Sequence, residues 1–192
     1  DKTQVTLPTI AMLGAGSMAR AILAGLLAPH VSVDGAVRVT NRSAENAASF
    51  DGEPRVQAWA TANDPEANSK AVAGAQIVLV AVKPAMVPDL LDEISPALAE
   101  GAIVVSVAAG VTTATMEAHL PEHVSVIRTM PNTPSKIGLG VTGIAAGTRS
   151  TPAQLELISS MFSTVGEVII LPENKIDALG SISGSGPAYV FY

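Results

Sequence analysis

The chain has 192 residues, 48% hydrophobic and 15% charged, with a formal net charge of −6, no Cys and a mean hydropathy of +0.39. That length holds one sizeable core and the beginning of a second unit, and the composition is too apolar for disorder. The acidic balance excludes a broad basic footprint for nucleic acid, and the missing cysteines exclude disulfides and thiolate metal sites.

The first predicted strand is the apolar run Thr9–Leu13, joined by Gly14-Ala15-Gly16-Ser17-Met18-Ala19 to an apolar-periodic helix over Ala19–Leu27. In a strand–turn–helix of this kind Gly14 permits the tight reversal, Gly16 lets a pyrophosphate approach the backbone, and Ala19 keeps the helix close to the sheet. The helix N-terminus offers unpaired N–H groups and about half a positive charge to phosphates. Alone, G-x-G-x-x-A also fits a plain turn. The flanking strand and helix favour a dinucleotide site.

Pro29–Gly35 reads as a loop and Ala36–Thr40 as the second strand, ending in Asn41-Arg42-Ser43. An NAD site places an acidic residue here for the ribose 2′-OH, whereas an Arg with small polar neighbours suits a 2′-phosphate. The expected cofactor is therefore NADP(H), with NAD(H) as the second candidate. Asn41 lies 27 positions after Gly14, beyond the usual ~20, an excess ascribed to the loop. The alternative for Arg42 is a solvated surface charge.

Arg55–Trp59 is a short third strand, and Asn63-Asp64-Pro65-Glu66 opens a helix running to about Ala73 with Asn68 inside it. Gln76–Val82 is a continuous β-branched run, as in a strand buried on both faces, and it ends in Lys83-Pro84. Ligands of open α/β sheets lie beyond such strand ends, so Ala81, Val82, Lys83 and Pro84 are candidates for the crevice; the alternative is an exposed terminal Lys. A helix over Val87–Ala99 follows, then a strand over Ala102–Val107 whose end, Ala108-Ala109-Gly110, is small enough for a flat ring to lie against it.

A helix near Thr112–Leu120 precedes a strand over Val124–Arg128. His119 and His123 are four apart, but Pro121 breaks the helix that would aim both at one metal, so no metal site is expected. Met130-Pro131-Asn132-Thr133-Pro134 reads as a stiff loop, either a ligand holder or a rigid connection. Val141–Ala146 is a strand, Thr151-Pro152-Ala153-Gln154 caps a helix reaching Phe162, and Glu167–Leu171 is the last strand. Glu173–Leu179 is helical, Ser181–Gly186 is nearly all Ser and Gly, and Gly184–Tyr192 reads as the opening of an apolar helix that continues past Tyr192. The fold class is thus α/β, a Rossmann-type doubly wound and mostly parallel sheet over 1–172, followed over 173–192 by the start of an all-helical domain.

Gly14–Ala19, Ala81-Val82-Lys83-Pro84, Ser106–Gly110, Met130–Pro134 and Ser183-Gly184-Ser185-Gly186-Pro187-Ala188-Tyr189, in this order across nearly the whole chain, resemble pyrroline-5-carboxylate reductases. Small departures are Ser17 for the usual Asn, Ala85 for Gln and Ser135 for Ala. The resemblance implies NAD(P)H-dependent reduction of 1-pyrroline-5-carboxylate to L-proline, the last step of proline biosynthesis. It also implies a helical C-terminal dimerisation domain and a homodimer or higher oligomer of dimers. It adds Asn68 and Val107, Ala108 and Ala109 on the cofactor side. On the substrate side it adds Glu173, with Met130 and Asn132 of the stiff loop. Two other readings stay open: a β-hydroxyacid-dehydrogenase-type oxidoreductase, and a non-catalytic nucleotide-binding module. No apolar run approaches the ~20 residues of a membrane span, so a soluble cytoplasmic protein with a small-molecule substrate and no membrane partner is expected.

Overall fold

The computed structural model describes residues 3–14, 16–132 and 140–178. Strands β1 (Val5–Leu7), β2 (Ile10–Leu13), β3 (Val31–Val33), β4 (Val37–Asn41), β5 (Val56–Ala60), β6 (Ile77–Val80), β7 (Ile103–Ser106), β8 (Ser125–Asn132), β9 (Gly140–Ala146) and β10 (Gly166–Ile170) alternate with helices. The helices are α1 (Ser17–Leu26), α2 (Ala44–Ala48), α3 (Ala67–Val72), α4 (Val87–Ile94), α5 (Thr113–Glu117) and α6 (Pro152–Phe162). Eight strands form one sheet in the order β10-β9-β8-β7-β6-β2-β4-β5. From β5 to β8 all pairs are parallel, β8 and β9 are antiparallel, and β9 and β10 are parallel to each other. The six parallel strands run out from β2 in both directions, the doubly wound arrangement in which chain order reverses between β2 and β6.

β2, β6 and β7 are buried at every position, which is why they read as continuous apolar runs. Alternate residues feed two cores. Ile10, Met12, Ile77, Leu79, Ile103 and Val105 pack with Ala19, Ile22 and Leu23 of α1 and with Ile158, Met161 and Phe162 of α6. Ala11, Leu13, Val78, Val80 and Val104 pack on the other face with Ala71 and Val72 of α3, Leu90, Leu91 and Ile94 of α4, and Met116 of α5.

Several sequence expectations change. The Pro29–Gly35 loop contains β3, which pairs with β1 in a separate two-stranded parallel sheet, and Val31 is buried against the first core. α2 follows directly on Ser43, whose Oγ accepts from the Asn46 N–H at 3.1 Å. α3 starts at Ala67 rather than near Pro65, because the Asp64 carboxylate turns back to accept from the Glu66 N–H at 2.9 Å. The Lys70 ammonium, 2.6 Å away, and that N–H hold the Asp64 carboxyl below its ordinary value. A depressed carboxyl contributes stability above its ordinary pKa and loses it as pH falls through the folded value. The helix predicted over Val87–Ala99 ends as α at Ile94, and a 3-10 turn, Ser95–Ala97, follows where Pro96 lacks its N–H. α6 carries the expected capping box between Thr151 and Gln154.

The Met130-Pro131-Asn132 stretch is not a loop; it is the end of β8. β7 pairs with β8 only as far as Ser106 against Arg128, so β8 overhangs its neighbour and bonds there to β9 alone. On that open side a proline removes no ladder bond. Thr133 and Pro134 lie outside the described residues, as do Ala15 and the Ser/Gly and apolar stretches after residue 178.

Candidate functional site

The carboxyl ends of the strands line up across the sheet. Thr40 is level with Leu13, Leu13 with Val80, Val80 with Ser106, and Ser106 with Arg128. Over the ends of β2, β4, β5 and β6, at the point where strand order reverses, opens a cleft of about 820 Å³. Its lining includes Gly14, Gly16, Thr40, Asn41, Arg42 and Asn68 on one part and Ala81, Val82, Lys83, Asp89 and Glu93 on another.

The turn after β2 divides the work between its two glycines. Gly14 has φ +99°, and a Cβ there would stand 2.6 Å from the Ala81 carbonyl oxygen. It is required by the fold, both for backbone conformation and for the close approach of the β6 end. Gly16 has φ −72° and ψ −175°, a conformation open to any residue, and a Cβ there would meet nothing within 4 Å. Its missing side chain keeps cleft space clear. Gly16 is the N-cap of the ten-residue α1, which has no side-chain cap and no acidic residue in its first turn. The α1 end thus keeps its N–H groups and positive dipole end for an anion. Ala19 is buried under the sheet as expected, whereas Ser17 is exposed and Met18 half-buried at the helix start, neither lining the cleft.

At the end of β4, Asn41 is 5% exposed and its Nδ2 has no hydrogen-bond partner among the described residues. Such an orphan costs about 1–3 kcal/mol of desolvation unless something meets it. Arg42 is exposed on the cleft and pairs with no acidic group among the described residues. Ser43 is absent from the lining, its hydroxyl being spent on the α2 cap. Asn68 is clamped: Thr40 Oγ donates to its Oδ1 at 2.7 Å and its Nδ2 donates to Glu93 Oε2 at 3.2 Å.

Lys83 sits at the cleft as its strand-end position suggests, with Ala81 and Val82, while Pro84 opens a 3-10 turn just outside. Val107, Ala108 and Ala109 follow β7, one strand beyond the cleft; Ala108 is buried and its N–H donates to Ser106 Oγ at 3.1 Å. Met130 is half-buried on the β8 overhang opposite Gly143, and Asn132 is level with Val141. Glu173 is outside the cleft. Its carboxylate accepts from the Thr113 N–H at 2.7 Å and hydroxyl at 2.6 Å and faces the buried Arg128 guanidinium at 3.3 Å, while Asp177 takes the other Nη of Arg128. The structure therefore splits the sequence candidates into a cleft group and a second group around β7 and β8.

Thr40, Asn46, Thr61, Asp89 and Glu93 also line the cleft and were not sequence candidates. Asp89 and Glu93 carried a usable signal, a four-residue spacing that places both on one helix face. Thr40 carried only its position as the last residue of the predicted strand. Among the described residues there is no His, Cys, Asp and Glu cluster able to hold a metal ion, and no helix is long and apolar enough to cross a membrane.

Residues 9–110 match the family described as NADP oxidoreductase, coenzyme F420-dependent. The pyrroline-5-carboxylate reductase of Corynebacterium melassecola is 37% identical over 186 residues, covering 95% of this chain and 66% of that protein. A solved pyrroline-5-carboxylate reductase from Coxiella burnetii superposes with a TM-score of 0.82 at 35% identity, over 95% of this chain and 66% of that one. The Plasmodium falciparum pyrroline carboxylate reductase, solved with NADP bound, shares the fold with a TM-score of 0.76 at 21% identity, over 95% of this chain and 64% of that one. The chain spans slightly less than two thirds of the length of these relatives. With more than half of its residues inside the matched region, the chain belongs to this NADP oxidoreductase family, and its relatives are pyrroline-5-carboxylate reductases.

Proposed function

We propose that the chain is the cofactor-binding part of an NADPH-dependent reductase that converts 1-pyrroline-5-carboxylate to L-proline. The observation that carries the reading is the cleft at the strand-order reversal, floored by the uncapped α1 N-terminus and by Gly16, whose Cβ position is empty. The pyrophosphate fits there. Arg42 and the orphaned Asn41 Nδ2 supply donors for a 2′-phosphate, and no acidic residue stands at the end of β4 to favour NAD(H). When bound, the nicotinamide supplies the hydride. A protonated cyclic imine accepts hydride readily, so the protein's task is to hold the ring and orient it rather than to provide strong acid–base groups.

The substrate side of this reading is Met130 and Asn132 on the β8 overhang together with Glu173. Glu173 acts there by shaping the edge, because Thr113 and Arg128 already occupy its carboxylate. Residues 1–172 form the dinucleotide-binding domain, and 173–192 begin a helical domain. The assembly is a homo-oligomer built from dimers, supported by the apolar composition and by exposed Ile169 and Ile170 on β10. The absence of Cys fits the reducing cytoplasm.

The test is oxidation of NADPH on addition of 1-pyrroline-5-carboxylate, with proline identified as product. The 192 residues alone should bind NADPH with almost no turnover, and the chain extended by a helical segment should be active; oxidation without proline, or none by the extended chain that binds NADPH, removes the substrate assignment. Arg42→Ala should weaken NADPH by roughly 1–3 kcal/mol, the loss of a charge-assisted contact, and leave NADH nearly unchanged. An equal loss for both cofactors in binding titrations would show that Arg42 does not meet the 2′-phosphate.

A further inference from the structure

Three elements converge on one amide. Thr40 from the end of β4 and Glu93 from α4 hold the side chain of Asn68 on α3 from opposite ends, and all three line the cleft beside Arg42. A side-chain amide has two orientations that exchange its oxygen and nitrogen. The Thr40 hydroxyl accepts as well as it donates, so it cannot choose between them. A carboxylate only accepts. Glu93 therefore requires the Nδ2 end on its own side, which turns Oδ1 toward Thr40 and fixes which donor and which acceptor of Asn68 remain for the cleft.

We propose that Glu93 is a positioning residue for the dinucleotide, setting the amide orientation in which Asn68 meets the ribose and phosphate oxygens. The proposal rests on the reading of the cleft as an NADP(H) site. Its sign opposes simple electrostatics. Glu93 places a negative charge, with Asp89 one turn before it, on the wall of a cleft that takes a polyanion. By Coulomb repulsion alone, removing that charge would tighten binding. If Glu93 orients Asn68, removing it loosens binding instead.

Fluorescence titration of NADPH on the parent chain, Glu93→Ala, Glu93→Gln, Asn68→Ala and the Glu93→Ala/Asn68→Ala double variant decides between these, with circular dichroism as the fold control. Glu93 is exposed on its helix, so the variants should fold. Glu93→Ala should raise Kd roughly 3–10-fold, the loss of one hydrogen bond's organisation. Glu93→Gln keeps the shape and removes the same charge, but its amide donates as well as accepts and no longer selects the Asn68 orientation, so it should also weaken NADPH, though less than Glu93→Ala. The double variant should bind no worse than Asn68→Ala alone, since Glu93 acts only through that amide. Unchanged or tighter binding by Glu93→Ala, or losses that add in the double variant, overturns the proposal while the cofactor reading stands. Failure of the parent chain to bind NADPH overturns both.

Discussion

Gly16→Val should abolish NADPH binding and leave the melting temperature close to that of the parent chain. The backbone at Gly16 is extended, and the new Cβ meets no protein atom within 4 Å, so the fold has no reason to resist it. The expected stability cost is about 1 kcal/mol or less, that of a poorer N-cap. The branched side chain instead fills the approach of the pyrophosphate to the α1 N–H groups. Gly14→Ala should do the opposite. At φ +99°, with a Cβ 2.6 Å from the Ala81 carbonyl oxygen, it should destabilise by roughly 2–5 kcal/mol from strain and overpacking. Thermal melts and titrations on both variants check the pair. A folded Gly16→Val that binds with parent affinity removes this turn from the site, and a Gly14→Ala as stable as the parent refutes the packing argument.

Arg128→Ala should lower stability by on the order of 3 kcal/mol in a denaturant titration. The side chain is 1% exposed, and it is the cation against which Glu173 and Asp177 are held. Its removal leaves a cavity, and it strips two carboxylates of their counter-ion. Glu173 keeps its two Thr113 donors, and Asp177 is well exposed, so the cost comes chiefly from the lost volume and the loosened 173–178 segment. Arg128→Met fills most of that volume without a charge and should cost clearly less. Equal losses for Ala and Met would mean that the ion pairs, not the packing, dominate.

The central parallel strands β2, β6 and β7 were legible because each is buried at every position and so reads as an unbroken apolar run; β6 is the clearest case. The sequence candidates that line the cleft were legible at Gly14 and Gly16, where glycine spacing has a direct backbone meaning, and at Arg42, which follows directly on a strand end. β1 and β3 were not, since three-residue strands carry no period and only their pairing with each other makes them strands. The Met130–Asn132 strand was hidden by Pro131, whose tolerance depends on β8 outreaching β7, a fact of register invisible in one dimension. The spacing of Asp89 and Glu93 marked a shared helix face, but the contact of Glu93 with Asn68, 25 residues earlier in the chain, is made only by the fold.

The level row Thr40, Leu13, Val80, Ser106, Arg128 acts as a ruler. Four inter-strand steps of about 4.8 Å separate its ends, so roughly 19 Å lies between the Thr40 wall of the cleft and the buried cation that fastens the 173–178 segment. Backbone hydrogen bonds set those steps and side chains do not. Core residues can drift in identity without altering the span. Moving one end relative to the other would take the gain or loss of a whole strand.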